Sequence, residues 1–236
     1  MPHLLSKSKY IRGLQCDRAL WLDVHKPRLA RYTAEQMRRF ERGREFEYAF
    51  KSQFPDAVDL SVELKRNVDA YPGRTAQLLD HADAIDLFEA GFLYDDVLVL
   101  ADVVHQNPDG TLDIYEVKSG ATLSETYRCD AALQHYVIAH CREVRRFSLV
   151  YRNPGYPENP ESPENPEHPE FPYSIEDITD YVQSRQSEIA RNIAVMKQIV
   201  LASSEPDTPT GQHCLEPYAC PYRHYCAQGV RQLALF

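Results

Sequence analysis

Two apolar runs separated by a turn constrain this chain more than any other feature. Val97–Val104 reads VLVLADVV and Leu112–Gly120 reads LDIYEVKSG, with Asn107-Pro108-Asp109-Gly110 between them. A turn of this kind between two β-patterned runs predicts an antiparallel hairpin. Side chains alternate along a strand, so Leu112, Ile114, Glu116 and Lys118 share one face. Folding back across the turn brings Asp102 to within about one residue of facing Glu116. Two carboxylates and a lysine then meet on one patch of sheet. Burying them beside aliphatic side chains is costly unless they hold something.

That constellation suits a divalent cation. Mg²⁺ or Mn²⁺ is held by one or two carboxylates together with waters and phosphate oxygens, and it can lower the pKa of a water and polarise a phosphoryl oxygen. Lys118 would orient the attacking water or neutralise charge developing in the transition state. The plainer alternative is a surface Glu–Lys pair beside an unrelated Asp102. Upstream, Thr33-x-x-Gln36 makes a capping box, and Phe40, Gly43, Glu47 and Phe50 follow at helical spacing. This sets an acid, Glu47, in an apolar stripe, although an exposed helical Glu in an Arg-rich segment has the same pattern. Glu89 in LFEAGF is another acid in an apolar, strand-like run and is expected to support the site at one remove.

Six cysteines are present: Cys16, Cys129, Cys141, Cys214, Cys220 and Cys226. The opening MPHLLSKSK is short and polar and no long apolar segment follows, so a cytoplasmic chain without a membrane span is expected. Thiols there stay reduced, which disfavours disulfides. Cys214, Cys220 and Cys226 are evenly spaced in HCLEPYACPYRHYC, and Cys16 lies near the other terminus. Four thiolates suffice for a zinc ion or an iron–sulfur cluster. Structural zinc sites usually build on C-x₂₋₄-C knuckles, and this sequence has none. Cys129 and Cys141 fall in a predicted helix over 124–142 and read as small buried hydrophobes.

At this point the sequence resembles a known family. Asp102, the interval to Glu116, and Glu116-Val117-Lys118 look like the core of the PD-(D/E)xK nuclease superfamily, in its RecB-like branch. DAALQHY (Asp130–Tyr136) is similar to that branch's Gln/Tyr motif through Gln134 and Tyr136. LSKSKYIRGLQCDRALWL (Leu5–Leu22) resembles the N-terminus of RecB-like nucleases that carry an iron–sulfur cluster, among them the CRISPR-associated adaptation nuclease and its standalone bacterial relatives. The resemblance implies a metal-dependent DNA nuclease acting on phosphodiesters, with exonuclease action on single-stranded DNA, in bacterial repair, recombination or defence. Asp102 and Glu116 would hold Mg²⁺ or Mn²⁺, Lys118 would assist the water, and Gln134 and Tyr136 would position the strand. It also implies a [4Fe–4S] cluster on Cys16, Cys214, Cys220 and Cys226, acting as a staple between the chain's two ends. One element departs: where the branch often has Gly-x-x-x-His, this chain has Gly43 and Glu47. Glu is common there in the wider superfamily, so Glu47 is taken as a third acid of the metal site. The competing reading is a non-catalytic DNA-binding or adaptor module that retains the fold and the cluster.

The last five residues, Gln232-Leu233-Ala234-Leu235-Phe236, resemble the bacterial sliding-clamp binding pentapeptide. An extended tail can seat Leu235 and Phe236 in an apolar pocket while Gln232 and Leu233 contact the rim. The alternative is that these residues pack on the chain itself. The net charge of −9 suits a nucleic-acid enzyme poorly as a total. It is unevenly spread, however: residues 1–51 carry 12 Lys+Arg against 6 Asp+Glu. A basic region including Arg38, Arg39, Arg42 and Arg44 can track a phosphate backbone. Pro154–Pro172 repeats Pro at every third position, with Glu after most of them, and reads as an exposed polyproline II insertion that cannot form a core.

The expected order is helix 33–53, a short strand near 57–60, helix 74–82, and strands near 85–93, 96–106 and 111–118. Helix 124–142, strand 146–152, the insertion and one helix over 175–202 complete it. The expected fold class is α/β: a restriction-endonuclease-like mixed central sheet flanked by helices, with a cysteine-ligated C-terminal cap. The expected organisation is an N-terminal segment 1–30, a core 31–203, a cluster-binding tail 204–228 and the clamp peptide 229–236.

Overall fold

The turn at Asn107 closes as its residues dictate. Gly110 takes φ 83°, its amide donates to the Asn107 carbonyl at 2.8 Å, and the Asp109 carboxylate accepts from the Thr111 amide and hydroxyl. The turn joins β4 (Val97–Gln106) to β5 (Leu112–Lys118). The computed structural model describes residues 4–155 and 172–233, with side chains as far as Gln228. Among them, a mixed sheet runs in the order β2 (Val58–Asp59), β3 (Ile85–Tyr94), β4, β5, β6 (Val144–Arg152), β7 (Tyr173–Asp177), and β1 (Leu5–Ser6) adds to β4. Strands β3, β4 and β5 are antiparallel. The β5–β6 pair is parallel, joined through α6 (Glu125–Ala139), and β7 returns antiparallel to β6. The expected α/β class, a mixed sheet flanked by helices, is therefore present.

The main core lies on one face of this sheet. There Leu87, Val99, Val104, Ile114 and Phe147 meet Tyr10 of α1 (Lys7–Gln15), Leu20 of α2 (Asp17–His25), Leu60 of α4 (Leu60–Leu64), Leu79 of α5 (Tyr71–His81), Leu133 of α6, and Ile193 of α8 (Gln186–Leu201). On the other face, Phe88, Val103 and Val150 pack under Phe50 of α3 (Ala34–Lys51). Thr33 and Gln36 form the full capping box that starts α3: the Gln36 side chain accepts from the Thr33 amide, and the Thr33 hydroxyl accepts from the Gln36 amide.

Two irregularities create the site. First, β4 and β5 pair only from Val103↔Tyr115 towards the turn. Beyond that point β5 stays with β6, while the freed edge of β4 is taken by β1, through Leu5↔Val97 and Ser6↔Leu98. The sheet forks at Asp102, and Oδ2 of Asp102 accepts the Val117 amide at 2.8 Å across the gap. Second, both strands of the β3–β4 hairpin switch faces at the fork. Ala101 and Val104 both face the main core, as do Leu87 and Ala90, whereas Val103 and Phe88 face α3. Strict alternation forbids a spacing of three. The register is Phe88↔Val103 on one side and Ala90↔Ala101 on the other, so the extra residues, Glu89 and Asp102, stand opposite each other. Glu89 takes φ 56° to allow this, a conformation that costs a non-glycine residue about 1–2 kcal/mol.

Three expectations require correction. The predicted helix over 175–202 is a strand followed by two helices: β7, α7 (Thr179–Ser184) and α8. The polar run Tyr173–Asp177 is an edge strand with little burial, so it carries no apolar alternation to announce it. Cys129 and Cys141 are only half-buried. The last helix, α9 (Arg223–Leu233), carries the backbone of Gln232 and Leu233 in helical rather than extended form. Ala234, Leu235 and Phe236 lie outside the described residues, as does most of the Pro/Glu insertion, 156–171. The ends of that insertion are tied where Asn153 donates its amide to the Pro172 carbonyl at 2.9 Å. Among the described residues, no helix is long and apolar enough to cross a membrane.

Candidate metal centre

Lys7 follows β1 directly, so it enters the fork. Its Nζ lies 3.4 Å from Asp102 Oδ1 and 3.3 and 3.2 Å from the two Glu116 oxygens. From the opposite side, α3 delivers Glu47 and Lys51 one turn apart. The Lys51 ammonium bridges Glu47 at 2.5 Å and Glu89 at 2.8 Å. One carboxylate oxygen each from Glu47, Glu89 and Asp102 lies within 4.8 Å of the others. Glu116, only 1% exposed, accepts from Lys118 Nζ at 2.6 Å, and Lys118 also binds Asp130 of α6 at 2.5 Å. Asp102 thus stands between two groups: Lys7 links it to Glu116, which holds Lys118, while Glu47 and Glu89 close on its other side, so Glu89 is a direct neighbour.

The electrostatics separate the two central acids. Burial and the adjacent Glu116 push Asp102 up to about 8, with Lys7 pulling the other way. Burial also penalises charge on Glu116, but Lys118 and Lys7 outweigh it and hold that carboxyl well below the usual range. Burial opposes the Lys118 ammonium too, yet Asp130 and Glu116 keep it well above the ordinary lysine value. Lys118 is held as an ammonium that donates to both carboxylates. The donors are all oxygen, which fits Mg²⁺ or Mn²⁺, and the group as a whole carries five acids (Glu47, Glu89, Asp102, Glu116, Asp130) against three lysines (Lys7, Lys51, Lys118).

The Gln/Tyr pair divides. Gln134 is fully buried and its amide approaches Glu116, favouring the ionised carboxylate without completing a hydrogen bond. The resemblance implies that Gln134 positions the strand; here its side chain is buried beside Glu116. Tyr136 is not at the site. It is two residues on in the helix, so it turns to the far side of α6 and packs with Tyr94 and His140, at ring separations of 5.6 and 4.7 Å. Tyr127 is the aromatic nearest the lysine, with Lys118 Nζ 5.6 Å from its ring centre. Lys7, Lys51 and Asp130 escape sequence reading. Only Asp130 left a trace, as an acid one helical turn before Gln134.

The cysteines form a second locus. Cys16, at the α1–α2 junction, and Cys214, Cys220 and Cys226 line one cavity together with His213 and Arg223. Burial pushes the thiols of Cys16, Cys220 and Cys226 up, and their mutual proximity adds to this. Four thiols lining one cavity suit either a zinc ion or an iron–sulfur cluster. The Gln15 side-chain amide shapes the tail by donating to the carbonyls of His213, Glu216 and Tyr218. A satellite core of Ala19, Trp21, Leu22 and Tyr222 backs the pocket.

No protein-family model and no curated protein matches the chain. Among solved structures, the chain is similar to the crystal structure of SSO0001, at 12% identity and a TM-score of 0.47, over 95% of this chain and 85% of that one.

Proposed function

We propose that this protein is a divalent-cation-dependent deoxyribonuclease of the PD-(D/E)xK type, RecB-like, with a structural iron–sulfur cluster on Cys16, Cys214, Cys220 and Cys226. The observation that carries this reading is the meeting of Asp102, Glu116 and Lys118 at the fork, with Glu47 arriving from α3. Asp102, Glu47, Glu89 and Glu116 would hold Mg²⁺ or Mn²⁺, which when bound supplies Lewis acidity towards a phosphoryl oxygen. Lys118, pinned between Glu116 and Asp130, donates a hydrogen bond to the attacking water and offsets charge developing on the phosphate. Gln134 and Asp130 keep Glu116 and Lys118 charged and aligned. The cysteine pocket ties the N-terminal helices to the tail, so cluster binding contributes to folding stability. The tail peptide beginning at Gln232 would recruit the enzyme to a bacterial sliding clamp.

The test is anaerobic purification followed by incubation with end-labelled single-stranded DNA in Mn²⁺, Mg²⁺ or EDTA. Stepwise shortening with either ion, abolished by EDTA and by Glu116→Gln, is the expected result. Retarded but uncut DNA in all three conditions would identify a binding module instead.

A further inference from the structure

The three lysines at the fork are not held alike. Lys118 is clamped at 2.5 and 2.6 Å, and Lys51 at 2.5 and 2.8 Å. Lys7 makes the longest contacts of the three, 3.2–3.4 Å, and its side chain is the most exposed, at 25% against 12% for Lys51 and 17% for Lys118. It alone bridges Asp102 and Glu116, the two acids on adjacent strands. It also sits at the first residue of α1, with its side chain reaching inward from the rim. A divalent ion bound by those two carboxylates and an ammonium that contacts both cannot share that space without strong repulsion.

We propose that Lys7 is the resident counter-ion of the cation site: it neutralises Asp102 and Glu116 while the ion is absent and leaves both carboxylates when the ion enters. This rests on the cation-site reading above and deepens it. In the ion-free protein, Lys7 bridges the two strands at the fork through Asp102 and Glu116. During loading it is exchanged for the ion, so each binding event pays for its removal and the intrinsic affinity of the acids is lowered. Lys118 keeps its clamp between Glu116 and Asp130 through the exchange.

The wild-type, full-length protein tests this directly. Mn²⁺ binding is followed by electron paramagnetic resonance, and lysine accessibility by brief acylation with a water-soluble active ester and peptide mass spectrometry. Lys197, ion-paired at the surface with Asp95 and Asp96, serves as the internal reference. Saturating Mn²⁺ should raise Lys7 acylation severalfold and leave Lys118 and Lys197 unchanged. Unchanged or reduced Lys7 acylation, with Mn²⁺ demonstrably bound, overturns the proposal and spares the cation site. Failure to bind Mn²⁺ at all overturns both. In a second arm, Lys7→Met should bind Mn²⁺ about tenfold tighter, whereas Lys7→Arg, which keeps the charge, should bind no tighter than wild type. Equal or weaker binding by Lys7→Met, or tighter binding by Lys7→Arg, also overturns it.

Discussion

The fork and the cysteine pocket are built in opposite ways. The fork draws its charges from three strands and three helices of the main core, and each acid already has a lysine partner. The pocket takes three of its four cysteines from the tail segment Cys214–Cys226, which leans on a satellite core of four buried residues. On the proposed reading, the sheet assembles one site and an ion would only tune it. The other would depend on a bound cluster for much of its cohesion. Reactivity and stability should therefore fail separately in this molecule.

The largest expected effect falls on activity. Lys118→Ala should lower cleavage of end-labelled single-stranded DNA by about 10³-fold while the brown chromophore of the anaerobic protein persists. Loss of the chromophore in this variant would show that the two loci are not separable. Next, Cys214→Ser should abolish that chromophore and lower denaturant stability by roughly several kcal/mol, because the tail loses its coordination bonds. A variant that keeps both properties removes the pocket's claim to a cluster. Glu89→Gly should then sharpen the account of the fork. It relieves the positive φ, worth about 1 kcal/mol, but takes from Lys51 one of its two carboxylates, so denaturant stability should change little while Mn²⁺ affinity falls.

The smallest effect concerns acid sensitivity in the core beneath the fork. Burial depresses the imidazole of His135 below its ordinary value, with Gln186 opposing the shift. The unfolded chain therefore takes up that proton at a higher pH than the folded one does. Stability contributed by neutral His135 is present above pH 6.5 and is lost as the pH falls from there towards the depressed folded value, at no more than about 1.4 kcal/mol per pH unit. His135→Gln should flatten thermal melting profiles between pH 7 and 5. An unchanged slope would assign the acid sensitivity elsewhere.

Local chemistry made the hairpin legible. Asn107-Pro108-Asp109-Gly110 specifies its own turn, and period-2 alternation aligns Asp102 with Glu116. The capping box at Thr33 was readable for the same reason. What escaped reading depends on long-range geometry. Nothing in LFEAGF announces that a glutamate, rather than its neighbouring Gly91, takes the left-handed conformation. Lys7 reaches Asp102 and Glu116 only because β1 fills the edge that β5 abandons. Tyr136 was misplaced because two residues along a helix point to nearly opposite sides, a constraint that the motif match overlooked. The edge strand β7 lacks the burial that would have separated it from the helices after it.

Helix α3 has a practical consequence for anyone trimming this protein. Its first turn is moored to the tail, where Gln36 donates its side-chain amide to the Ala219 carbonyl at 3.0 Å, and the preceding chain is pinned where Arg31 donates its backbone amide to Pro221. Glu47 lies eleven residues further along the same rod, about 16 Å away. A shortened version ending before Gly211 would cut those moorings as well as removing three thiols, and one carboxylate of the distant ion site would lose its footing.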